Sequence, residues 1–116
     1  MRISCQFNVF YRDYQHDVSI SSSNPEPLEG DRLVSLAEHL LSDPDNFLGV
    51  EDSSHTVLQL YANEDGSIVM ELLYAESTGC LQLKGTRQQA MEILDRLPAV
   101  FENGLLPGAN YIVPEG

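Results

Sequence analysis

The stretch TVLQLYANEDGSIVMELLY, residues 56–74, reads as two β-strands joined by a turn. Leu58, Leu60 and Ala62 alternate with Val57, Gln59 and Tyr61, and successive strand side chains point to opposite faces, so one apolar row faces a core. Asn63-Glu64-Asp65-Gly66 then breaks the pattern. Asp-Gly supplies the positive φ values that a tight hairpin needs. Beyond it the period of two resumes, with Ile68, Met70, Leu72 and Tyr74 on one face and Val69, Glu71 and Leu73 on the other.

Working outward in the C-terminal direction, Glu76-Ser77-Thr78-Gly79 predicts a second turn and Cys80 to Lys84 a third strand, which completes an antiparallel meander. Thr86 and Gln89 have the spacing of a capping box, in which a hydroxyl and an amide satisfy the orphan backbone donors of a helix start. Ala90, Ile93, Leu94 and Leu97 supply the apolar stripe of that helix, and Pro98 marks its end or a kink. From Phe101 the tail carries Gly and Pro punctuation. Its Tyr111-Ile112-Val113 is compatible with an edge segment or with irregular chain.

In the other direction, Phe47 to Val50 is a short apolar run that reads equally as strand or buried loop. Before it, Leu33, Leu36, Ala37, Leu40 and Leu41 fall at helical spacing and predict a helix of about twelve residues starting near Asp31. Ser42-Asp43-Pro44 stops it, because a residue before proline is pushed out of the α region. Ser21 to Pro27 is punctuation leading into this helix. At the N-terminus Ile3, Cys5, Phe7, Val9 and Tyr11 alternate with polar residues, and Val18 and Ile20 repeat the period, which predicts a hairpin. The expectation is one α+β domain over residues 1–116, an antiparallel sheet made of this hairpin and the meander, packed against two helices.

The 116 residues carry 18 acids against 6 Lys and Arg, a formal net charge of −12. Fourteen of those acids, and only Arg32 among the bases, lie between Asp13 and Leu83. Such a surface repels phosphate backbones and anionic lipid head groups, both of which are bound through Lys and Arg. Nucleic acid and membrane are therefore not expected as partners, whereas a cationic protein is. No secretory signal and no apolar window of membrane-spanning length stands out, so the cytoplasm is the default location. Cys5 and Cys80 fit no metal spacing and sit in strand patterns, which favours two reduced, buried thiols.

Chemistry is sparse along the chain. His16, His39 and His55 form no His-x-x-x-His pair and read as surface residues, so no metal site and no cofactor is expected. No nucleophile elbow or phosphate-cradling loop appears, and no catalytic residue is assigned. An enzyme reading would gain if these histidines converged on a carboxylate in a concave pocket. Glu71 reads as a solvent-facing residue on the outer sheet surface. The acidic turns carry the binding expectation, because loops held by a scaffold are where recognition residues usually live. They supply Asp43, Asp45, Glu51, Asp52, Glu64, Asp65 and Glu76.

The helix Leu33 to Leu41, the following Asp43 to Glu51, the strand Val57 to Leu60 and the segment Asp65 to Leu72 resemble the small acidic α+β immunity proteins that bacteria encode beside polymorphic or secreted toxins. The resemblance spans residues 28–97. It implies a non-catalytic module that binds and neutralises a cognate toxin or effector, with carboxylates meeting a basic surface. An adaptor or chaperone-like protein of a secretion system is the alternative binding role. A small-ligand-binding domain or small enzyme is a further one.

Overall fold

A computed structural model describes residues 6–74 and 79–113, except for the side chain of Asn103. Among the described residues the chain forms an eight-stranded antiparallel sheet and two α-helices. In chain order the strands and helices are β1 (Gln6–Asp13), β2 (Val18–Ile20), β3 (Glu26–Glu29), α1 (Leu33–Leu40), β4 (Phe47–Glu51), β5 (Val57–Ala62), β6 (Ile68–Leu73), β7 (Cys80–Gly85), α2 (Arg87–Asp95) and β8 (Asn110–Ile112). The α+β class, the hairpin, the meander strands and both helices stand as expected.

The sheet runs β2-β1-β4-β5-β6-β7-β8, with β3 also on β1. Two of its strands were not settled by the sequence, one reading equally as strand or buried loop and the other carrying no strand pattern. The run Phe47–Glu51 is an interior strand, paired with β1 on one side and β5 on the other. Its continuous apolar character arises because Leu48, Gly49 and Val50 are all buried. Residues 26–29, which overlap the end of the Ser21 to Pro27 punctuation, form β3 along the first half of the outer edge of β1, while β2 covers the second half. Pro27 is tolerated there because β3 lies at a sheet edge, where a missing N–H costs no ladder bond.

Cross-strand register assigns every side chain to a face. Phe7 and Val9, Leu48 and Val50, Leu58 and Leu60, and Met70 and Leu72 share one face and are buried. Both helices pack on that side: α1 inserts Leu33, Ala37 and Leu40, and α2 inserts Ala90 and Leu94. The first helix is shorter than expected, eight residues preceded by a 3₁₀ turn at Gly30–Arg32, and Leu36 is only half-buried. The second begins at the expected capping box: Thr86 Oγ1 accepts from the Gln89 backbone N–H, and Gln89 Oε1 accepts from the Thr86 N–H.

The tail is ordered into the fold. Phe101 and Leu106 are 2% exposed and belong to the core, and the Phe101 ring stacks on Phe7 at 5.7 Å. β8 then closes the far edge of the sheet against β7. Of the two cysteines, Cys80 is half-buried and carries a free thiol. Cys5 and most of the turn containing Glu76 lie outside the described residues. The Asn63 to Gly66 turn has positive φ at Gly66 but not at Asp65, and Asp65 instead accepts hydrogen bonds from the Ser67 N–H and hydroxyl.

Candidate functional site

The same register that builds the core also gathers the loops at one end of the sheet. Because β1 and β4 run antiparallel with Arg12 opposite Phe47, and β4 and β5 with Phe47 opposite Tyr61, three connections emerge together. They are the β1–β2 turn, the α1–β4 connection and the β5–β6 turn. This end carries Asp17, Asp43, Asp45, Glu64 and Asp65. Glu51 and Asp52 lie at the opposite end, and Glu76 lies outside the described residues. Of the seven acids singled out in sequence, the six described ones thus divide between two ends of the molecule.

They also differ in what they already touch. Asp43 is half-buried and accepts from Gln15 Nε2 at 2.9 Å. Asp65 holds its own turn and pairs with Lys84 at 3.6 Å. The Ser67 hydrogen bonds, and more weakly Lys84, hold its carboxyl below the ordinary range. Asp45 and Glu64 are exposed. Glu51 is half-buried, 3.6 Å from His55 Nδ1.

Asp52 is corrected outright as a surface-binding residue. It is 3% exposed, and its carboxylate accepts from the Ser54 N–H and hydroxyl, the Thr56 N–H and, at 2.6 Å, the Phe101 N–H. Burial pushes its carboxyl up, but these hydrogen bonds outweigh it and leave it below the ordinary range. A charge so enclosed pins the tail to the β4–β5 turn. At 3% exposure it offers a partner almost no surface.

A cluster that the sequence did not announce occupies the acidic end. Asp13 has the parity of Phe7, Val9 and Tyr11, so its side chain turns toward the helices and is buried. His39, in the last turn of α1, and His16, in the β1–β2 turn, both reach it. Asp13 Oδ2 lies 2.9 Å from His16 Nδ1 and 3.3 Å from His39 Nε2. Asn46, also buried, donates to Asp13 Oδ1 and to the Leu40 carbonyl, and accepts from the Tyr14 N–H. Burial raises the Asp13 carboxyl, and hydrogen bonding to His16 and Asn46 with the His16 charge more than offsets this and holds it low. Read singly, His16 and His39 are surface residues, each 59% exposed in its side chain. Asp13 and His16 stand three residues apart, but the arrival of His39 depends on a strand end meeting a helix end, which no local spacing encodes.

The sheet's second face has no helix upon it among the described residues. Phe10, Phe47, Val57, Tyr61, Val69 and Leu73 lie there half-buried. Near β2 it forms an open groove of about 600 Å³ lined by Phe10, Arg12, Tyr14, Ser19, Phe47 and Gln59 among others. The histidines and Asp13 face the opposite side of β1 and do not line it. Farther along, Glu71 lies on this outer face as expected, but half-buried. Its Oε2 accepts from Gln82 Nε2 at 3.1 Å and from Cys80 Sγ at 3.5 Å. Burial, and then the Glu71 charge, push the Tyr61 hydroxyl and the Cys80 thiol above their ordinary values. Among the described residues no helix is long and apolar enough to cross a membrane. Compared with protein-family models, curated proteins and solved structures, the chain matches none of them.

Proposed function

We propose that the chain is a non-catalytic protein-binding module of the immunity type, which neutralises a cationic toxin or effector domain by docking it on the acidic end of the sheet. The observation that carries the reading is the gathering of Asp43, Asp45 and Glu64 from connections far apart in sequence, beside an open apolar face. Carboxylates at the rim steer a basic partner, and half-buried aromatics beside them supply the desolvated contacts that hold it. Phe10, Tyr14 and Phe47 line the groove at this same end.

Co-expression with the candidate toxin tests the role. An immunity protein restores growth of the toxin-expressing cell, whereas a secretion adaptor raises export of its cargo without restoring growth. The interface is tested by association kinetics of the purified pair at rising salt. Asp43→Lys, Asp45→Lys and Glu64→Lys combined should slow association at least about tenfold at low salt, and the gap should close as salt screens the charges. Asp65 is left intact because its carboxylate holds the β5–β6 turn. An unchanged association rate in the triple variant sinks the acidic-end interface.

A further inference from the structure

The geometry points to a divalent transition-metal site formed by Asp13, His16 and His39, with Zn²⁺ as its reference ion. One ligand atom from each residue lies within 4.8 Å of the other two. A tetrahedral ion with bonds of about 2.0–2.1 Å places its ligand atoms about 3.3 Å apart. Of the two carboxylate-to-imidazole separations, the 3.3 Å one to His39 equals that edge and the 2.9 Å one to His16 lies just inside it. The imidazole rings are tilted, with centroids 5.2 Å apart. The third edge, between the two imidazole nitrogens, is no longer than 4.8 Å, and both rings are exposed.

The surroundings suit a cation. Asn46 occupies Asp13 Oδ1 and is itself fixed by the Leu40 carbonyl and the Tyr14 N–H, so Oδ2 is left aimed at the two rings. Orientation of a ligating carboxylate by such an outer partner is what metal sites use to hold geometry. Among the described residues Asp13 makes no ion pair with Lys or Arg, and Arg12 pairs with Asp17 instead. His39 lies in the last turn of α1, where the carbonyl end of the helix dipole favours positive charge. With both rings half open to solvent, the fourth position belongs to water or to an incoming ligand. This site is independent of the partner-binding reading and survives if that reading fails.

Calorimetric titration of the full chain with Zn²⁺ tests it, with Co²⁺ absorption spectra reporting nitrogen and oxygen ligation. The expected result is one saturable site per chain. His16→Gln and His39→Gln should each weaken it at least about tenfold, since even outer-shell losses cost that much. Both positions are exposed, and circular dichroism confirms the folded state. His55→Gln, which removes the His55–Glu51 pair, and Cys5→Ser should leave the affinity unchanged. Zn²⁺ should raise the melting temperature of the wild-type chain and not of His39→Gln. Absence of saturable binding overturns the site, as does binding that survives loss of His16 and His39 or follows His55 or Cys5.

Discussion

Asp52 shows how one side chain can join two distant parts of the chain. Its carboxylate satisfies buried N–H groups of Thr56 and Phe101, so Asp52→Ala leaves them unpartnered, and each unsatisfied donor costs about 1–3 kcal/mol. Denaturant melts should therefore place Asp52→Ala about 2–4 kcal/mol below wild type. The acid limb follows from the same bonds. The folded carboxyl titrates below its unfolded value of 3.8, so its contribution is complete above that pH and disappears as pH falls through the folded value. Stability measured across this window should fall less steeply in Asp52→Asn than in wild type.

Cys80 gives a second residue-scale expectation. Burial and the Glu71 carboxylate both disfavour its thiolate, which is the reactive form. In a Cys5→Ser background, Cys80 should alkylate more slowly than a free cysteine at pH 8, and Glu71→Gln should speed the reaction severalfold. Equal rates in the two proteins would show that the carboxylate does not govern this thiol.

Among the elements, β4 is the least legible and the most consequential. Periodicity reads alternation, and a strand carrying Leu48, Gly49 and Val50 in succession shows none. Its identity rests on neighbours at both edges. Gly49 faces the open side, opposite Phe10, and that ring covers the glycine where a Cβ would stand. Gly49→Ala should therefore displace the ring and destabilise by about 1–3 kcal/mol. Phe10→Ala in the same chain should recover part of this, read as non-additivity in a double-mutant cycle. The second helix is the opposite case. Thr86 and Gln89 form the capping box within one turn of chain, so four residues suffice to locate its start.

At the scale of the whole molecule the tail is the closing element, although its composition is equally compatible with an edge segment and with irregular chain. Phe101 packs on Phe7, Leu106 is buried, and β8 extends the sheet beyond β7. Phe101→Ala should cost about 3–5 kcal/mol by removing a fully enclosed ring, and truncation after Pro98 should abolish cooperative thermal unfolding. A truncated chain melting like the intact one would contradict the core assignment.

The division between local and global information runs through these cases. Alternation in residues 56–74 and in β1, the apolar stripes of both helices, the capping box and the acid imbalance are properties of neighbouring residues, and the chain carries them whatever its tertiary contacts. The acidic turns were legible as turns, but not as two separate groups, because grouping depends on strand register. Burial of Asp52 and the meeting of His39 with Asp13 and His16 were not legible at all. The bond from Asp52 spans 49 residues to Phe101, and Asp13 meets His39 only where β1 and α1 end side by side. Contacts of that kind come from which strand lies beside which, and only the packed sheet decides it.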